Sequence, residues 1–189
     1  MPTNPEIKEY QIEIANTFSE FYRDDHPVAI EWSSIFEKGI YSPRVDIAVG
    51  PFAVVEGERY INEYNYLMDV SSTLIYQLIE FHLNNTKENI TPDNLFKQLS
   101  FFNPNSRCFM AIEIESTGSR KHLMGDAVNA SALGRIGIVI GWTQEMFVSF
   151  LNLKRYFDYL GRVGKNTFNL ANLLILDSNQ LRDSIQRVL

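Results

Sequence analysis

Apolar residues recur every three or four positions in "PEIKEYQIEIANTFSEFY", at Ile7, Tyr10, Ile14, Phe18 and Phe21. The spacing predicts a helix that begins at Asn4 with Pro5 in its first turn. It should stop before "RDDHP", because Pro27 cannot continue a helix. "IEWSSIFEK" reads as a second, shorter helix. In "GIYSPRVDIAVGPF" the period changes to two, with Val45, Ile47 and Val49 on one side and Asp46 and Ala48 on the other. That is a strand with an acid near its start. "YINEYNYLMDVSSTLIYQLIEFHLNN" returns to the helical period as one long segment. "TPDNLFKQLSFF" adds a helix with Thr91 as cap and Pro92 at its first position.

The second half alternates more plainly. The strand-like "RCFMAIEIE" leads into a helix, "SRKHLMGDAVNASALG", and then into the apolar "IGIVIGW", a run suited to a strand covered on both faces. "TQEMFVSFLNLKRYFDYLGRVG" is a helix capped by Thr143, "NLLILD" a further buried strand, and "SNQLRDSIQRVL" a helix capped by Ser178. Strands alternating with helices predict an α/β fold, a central sheet flanked by helices. No linker, repeat or low-complexity tract interrupts the chain, so residues 1–189 are read as one domain.

Composition narrows the function classes. At 45% hydrophobic and 21% charged, the 189 residues suit a globular core. No apolar run reaches the roughly 18 residues needed to cross a bilayer. The start lacks the basic-then-apolar order of a signal peptide, so a cytoplasmic protein with no membrane partner is expected. The single Cys108 excludes an internal disulfide and cysteine-held zinc, and its place inside "RCFMAIEIE" assigns it to packing. A formal charge of -6 argues against a broad basic coat for nucleic acid while leaving room for a local basic cleft. Glycine-rich phosphate loops of the GxGxxG or GxxxxGK kind are absent.

The candidate chemistry lies in "RCFMAIEIESTGSRKHLMGD". Residues two apart in a strand share a face, so Glu113 and Glu115 project together while Ile112 and Ile114 pack on the other side. Two like charges are costly in a dry core and call for water, a base or a metal. A hard dication such as Mg²⁺ prefers carboxylate oxygens, and Asp46, from another strand, is the natural third acid. Ser119 would cap the following helix, whose amino end, with Arg120, Lys121 and His122, suits an anion. Gly125, Ala127, Ala130, Ala132 and Gly134 would let that helix approach the sheet closely.

"SPRVD", then "AIEIE", then a Ser-Arg-Lys helix and a buried apolar strand resembles the PD-(D/E)XK phosphodiesterase superfamily, the restriction-endonuclease-like nucleases. The resemblance implies a mixed central sheet flanked by helices, with residues 58–104 as a helical insertion between the two acid-bearing strands. It implies hydrolysis of phosphodiester bonds in DNA with Mg²⁺, for which Mn²⁺ could substitute, and a homodimer. Carried over residue by residue, Asp46 and Glu113 are metal ligands and Glu115 stands where the family's lysine usually stands. Glu115 would then join the metal or serve as a base. Lys121 becomes the migrated lysine, and Ser119, Arg120 and Lys121 hold the phosphate.

Blander readings stand beside these. Glu113 and Glu115 could form the solvated face of an edge strand, Asp46 could be a turn acid, and His122 a surface histidine. Glu20 and Glu31 are weaker candidates for the metal, each expected on a solvated helix face. His26 and His82 have no acidic or cysteine partner at ligand spacing. The aromatic stripe of Tyr60, Tyr64, Tyr66, Tyr76 and Phe81 suits a core or a dimer surface. The missing lysine and the acidic charge fit an alternative function, an inactive nuclease-like fold that serves as a binding or assembly module. A third option is carboxylate chemistry on another phosphate-bearing small molecule.

Overall fold

The computed structural model describes residues 5–23, 25–34, 39, 41–165 and 169–189. Among them, β1 (Val28–Ser33), β2 (Arg44–Val49), β3 (Cys108–Glu115), β4 (Gly134–Gly141) and β5 (Leu173–Asp177) pair in chain order into one open five-stranded sheet. β1, β2 and β3 are antiparallel neighbours, and β3, β4 and β5 are parallel. The described helices are α1 (Pro5–Phe21), α2 (Ile61–Val70), α3 (Ser72–Thr86), α4 (Pro92–Phe101), α5 (Arg120–Leu133), α6 (Gln144–Arg162) and α7 (Ser178–Gln186). The parallel strands are joined through α5 and α6, as parallel pairing requires. The chain is thus α/β, a mixed sheet flanked by helices. α2, α3 and α4 lie between β2 and β3 in the chain although those strands are neighbours in the sheet. No helix among the described residues is long and apolar enough to cross a membrane.

The strand side chains divide among three buried clusters, one of them formed by Trp32, Val45, Ala48, Cys108 and Ala111 with Leu133, so Val45 packs apart from Ile47 and Val49. Ile47, Met110, Ile112, Ile138, Ile140 and Leu174 pack against α1, α2, α3, α4 and α7. Val139, Leu173 and Ile175 pack against α5 and α6. With helices on both sides, every residue of β4 is buried, as the apolar run from Ile136 to Ile140 requires, and the buried charge of Arg135 is met by Asn65 Oδ1 and the Ser100 carbonyl. α5 and β4 meet at Gly137, where a Cβ would come within 2.7 Å of the Ala130 carbonyl carbon. Gly125 touches nothing within 4 Å of its would-be Cβ and Ala132 is exposed, so those two do not serve the close approach expected of them. Cys108 is buried without a partner thiol, in keeping with packing.

Several local expectations are corrected. The described part of "IEWSSIFEK" is strand β1 and not a helix, because its Ile30 and Trp32 pair with Ile47 and Val45 of β2. Residues 35–38 of that stretch lie outside the described residues, as does the expected helix start at Asn4. The long helical segment breaks into α2 and α3 at Ser71, a buried residue whose hydroxyl pairs with the Tyr22 hydroxyl at 2.9 Å. α7 is capped by Asp177 rather than Ser178, in a capping box with Gln180. Ser119 occupies the cap position of α5 but its side chain makes no capping bond. Thr91 and Thr143 cap α4 and α6 through Asn94 N and Met146 N.

Candidate active site at the carboxyl edge of the sheet

The ladder between β2 and β3 runs through Ile47 opposite Ile112. One step further, Asp46 stands opposite Glu113. On the other side of β2, Ile30 pairs with Ile47 and Trp32 with Val45, so Glu31 falls opposite Asp46. Three acids from three strands therefore share one row. Glu31 sits there with a φ of 54°, in a region non-glycine residues rarely occupy, and its carboxylate meets Arg44 Nε at 2.7 Å. Glu20, by contrast, is an exposed residue of α1. The row lies where β3, β4 and β5 end and α5 begins, the edge of an open α/β sheet that characteristically receives ligands.

Donors hold Asp46 in place. Gln11 on α1, buried at 2% exposure, donates from Nε2 to Asp46 Oδ1 at 2.9 Å. The Ile114 N–H donates to Oδ2 at 2.6 Å, so the side chain takes the place of a ladder carbonyl. Burial pushes the Asp46 carboxyl up to about 6, the Ile114 bond opposes that, and the charges of Glu31 and Glu115 add to it. Glu113 is 5% exposed and meets Asn129 Nδ2 of α5 at 3.4 Å. Its carboxyl is held well above the usual carboxylate range by burial first, then by the charges of Asp46 and Asp126.

Asp126 is an acid that sequence reasoning missed. It lies three residues before Asn129 on α5, so the two share a helix face turned toward the site. Burial pushes its carboxyl up to about 7, helped by the charges of Glu115 and Asp46 and by a hydrogen bond with Glu115. Two carboxyl groups can share such a bond only when one keeps a proton. Glu115 also accepts the N–H groups of Ser116 and Thr117 at 2.8 and 2.9 Å. A Cβ on Gly118 would lie 2.3 Å from its Oε2, so the missing side chain there lets the carboxylate fold back over the turn.

Compared with protein-family models, with curated proteins and with solved structures, the chain matches none. The site is therefore read from its own atoms. A cavity of about 510 Å³ opens onto Glu113, Asp126 and Asn129, with Tyr41, Ser42 and Arg44 on its other wall. Arg44 is its cation. Arg120 lies instead in the groove between α5 and α6, with Leu123, Met124 and Tyr156. Ser119, Lys121 and His122 are exposed on the first turn of α5, and none of the described contacts ties them to the acids.

A larger cavity, about 760 Å³, lies at the opposite edge beside the start of β5 and is lined by His82, Glu88, Lys154 and Asp158. Its charges are matched to one another: Lys154 bonds both Glu88 and Asp158, and His82 Nδ1 accepts the Ile175 N–H at 3.0 Å. At the carboxyl edge Glu31 alone has such a partner, Arg44; among the described contacts Asp46, Glu113, Glu115 and Asp126 make no ion pair. Among the described residues, no three His, Cys, Asp or Glu side chains are gathered into a ready-made metal cage. The donor set is nonetheless one of hard oxygens whose repulsion a dication would relieve, so its chemistry fits Mg²⁺ or Mn²⁺.

Proposed function

We propose that this chain is a metal-dependent nuclease of the PD-(D/E)XK superfamily, cytoplasmic, hydrolysing phosphodiester bonds in DNA. The restriction-endonuclease-like form of the α/β architecture belongs to the same proposal. The observation that carries it is Asp46 opposite Glu113 on adjacent strands, both carboxyls raised by burial and by their neighbours' charge. In this reading Asp46 and Glu113 hold Mg²⁺. Bound there, the ion supplies a Lewis acid that offsets charge on the phosphate.

The chain's own groups do the rest. Hydrolysis forms a bond from a water oxygen to phosphorus and breaks the bond from phosphorus to the leaving sugar oxygen. The water's proton passes to Asp126 in its ionised form, whose carboxyl near 7 suits a base at neutral pH, and the protonated Asp126 then hydrogen-bonds Glu115. The leaving oxygen takes a proton from solvent. Arg44, in the wall of the same cavity, takes over the phosphate contact assigned above to Lys121 and Arg120.

The test is incubation with plasmid, linear and single-stranded DNA in Mg²⁺ or Mn²⁺. Glu113→Gln should lower cleavage by about 100-fold or more while preserving the circular dichroism spectrum. Absence of metal-dependent cleavage, or a Glu113→Gln variant as active as the wild type, would overturn the proposal. One observation favours the binding-module alternative: Glu115, in the usual lysine position, turns its carboxylate onto its own backbone. Calorimetry separates the two, since a module would bind Mn²⁺ or DNA without cleaving.

A further inference from the structure

We propose that the acid cavity takes an unpaired DNA strand, one of whose bases stacks on Tyr41 at the cavity mouth. The inference rests on the nuclease reading and adds the strand class and the side chain that selects it.

Four features of the cavity converge on this. Its floor is recessed, because Glu113 is 5% exposed beneath walls formed by α5 on one side and Tyr41, Ser42 and Arg44 on the other. Its volume, about 510 Å³, falls in the range of pockets that enclose a small organic ligand, so it suits one nucleotide at a time. A phosphodiester inside a duplex is tied to the stacked pairs, whereas an unpaired strand bends into a recess without that cost.

The mouth supplies the third feature. Tyr41 is 86% exposed, the most exposed large apolar side chain among the described residues, on a wall that is otherwise polar. A base laid on the ring covers that face, and stacking tolerates any sequence because every base has a π-face. Exposed Phe101 and Tyr159 do not line this cavity, and Tyr156 belongs to the α5–α6 groove, so Tyr41 is the aromatic that shares the acids' space.

The charge balance supplies the fourth. Arg44 is the one cation among the described residues lining the cavity, it is paired with Glu31, and the chain carries -6 overall. Affinity for either form grows with the number of phosphates neutralised by Lys and Arg, more steeply for the duplex than for the single strand. This surface offers little of that, which leaves stacking as the main source of grip.

Fluorescence anisotropy with a short labelled single strand and a hairpin duplex of the same sequence tests this, using Ca²⁺ to satisfy the acids. The wild type should bind the single strand more tightly than the duplex. Tyr41→Ala should weaken single-strand binding by about tenfold, and Tyr41→Phe should bind like the wild type. The proposal fails if Tyr41→Ala binds as the wild type does, if Tyr41→Phe loses as much as Tyr41→Ala, or if the duplex binds as well as the single strand. It also fails if the single strand is not bound. A parallel Mg²⁺ reaction keeps the two readings apart. Tyr41-dependent binding without cleavage removes the nuclease and leaves the platform; cleavage indifferent to Tyr41 removes the platform and leaves the nuclease.

Discussion

Gln11 carries the packing of α1 to the acids. Its Nε2 donor satisfies Asp46 Oδ1, and leaving a buried acceptor without a donor costs about 1–3 kcal/mol, with the larger cost when the group is charged. Gln11→Leu should therefore lower the unfolding free energy by about 2 kcal/mol at pH 8, by urea titration. The loss should shrink as pH falls through about 6, where the Asp46 carboxyl takes up its proton. A pH-independent loss would mean that Gln11 matters through packing alone. The sequence held a clue: Gln11 stands four residues after Ile7 and three before Ile14, on the apolar stripe of α1. Asp126 similarly stands three after Leu123 and four before Ala130. Polar residues on inward stripes mark places where a helix meets something polar, but the partner is invisible until the fold forms.

The position of α5 decides whether Asp126 and Asn129 reach Glu113. That helix rests on β4 at Gly137, next to Ala130. Gly137→Ala would drive a methyl into the backbone of α5 and should cost about 1–3 kcal/mol, seen as a lower urea midpoint with unchanged slope. Because Asn129 adjoins the contact, the same variant should lose metal-dependent cleavage more than it loses stability. Helix periods were legible here, as were the caps at Thr91 and Thr143, whereas Ser178 was misread, because the adjacent Asp177 makes the capping bonds, and Ser119 makes none. The break at Ser71 was not legible; the hydroxyl there meets that of Tyr22, which follows the end of α1.

The two ends of the sheet should answer pH in opposite directions. At the carboxyl edge, Asp46, Glu113 and Asp126 all bind protons more tightly folded than unfolded. Stability should therefore rise as pH falls from about 8 toward about 5. At the other edge, the His82 imidazole and then the Lys154 ammonium hold the Glu88 carboxyl down to about 2. Its contribution is complete above the ordinary value of 4.5 and is lost as pH falls below that toward 2. Urea unfolding across this range should show a maximum near pH 5. Asp126→Asn should flatten the upper limb by on the order of 2 kcal/mol, and Glu88→Gln the lower one. Mg²⁺ should flatten the upper limb as well. Stability that climbs steadily to pH 8 would contradict the repulsive cluster.

Periodicity is a property of adjacent residues, and it sufficed to read β2 to β5, most helices and the common face of Glu113 and Glu115. Those features arise from how a short peptide hides its apolar side. β1 was misread because a strand at the margin of a sheet is defined by the partner it pairs with, here β2. Gln11 comes from α1, Tyr41 and Arg44 from the entry to β2, and Asp126 and Asn129 from α5, and bringing these three segments to the acids depends on register and helix placement, which no local pattern encodes. Which residues are apolar settled the kind of fold; which distant residues line the cavity with Glu113 was settled only when β2, β3 and α5 packed together.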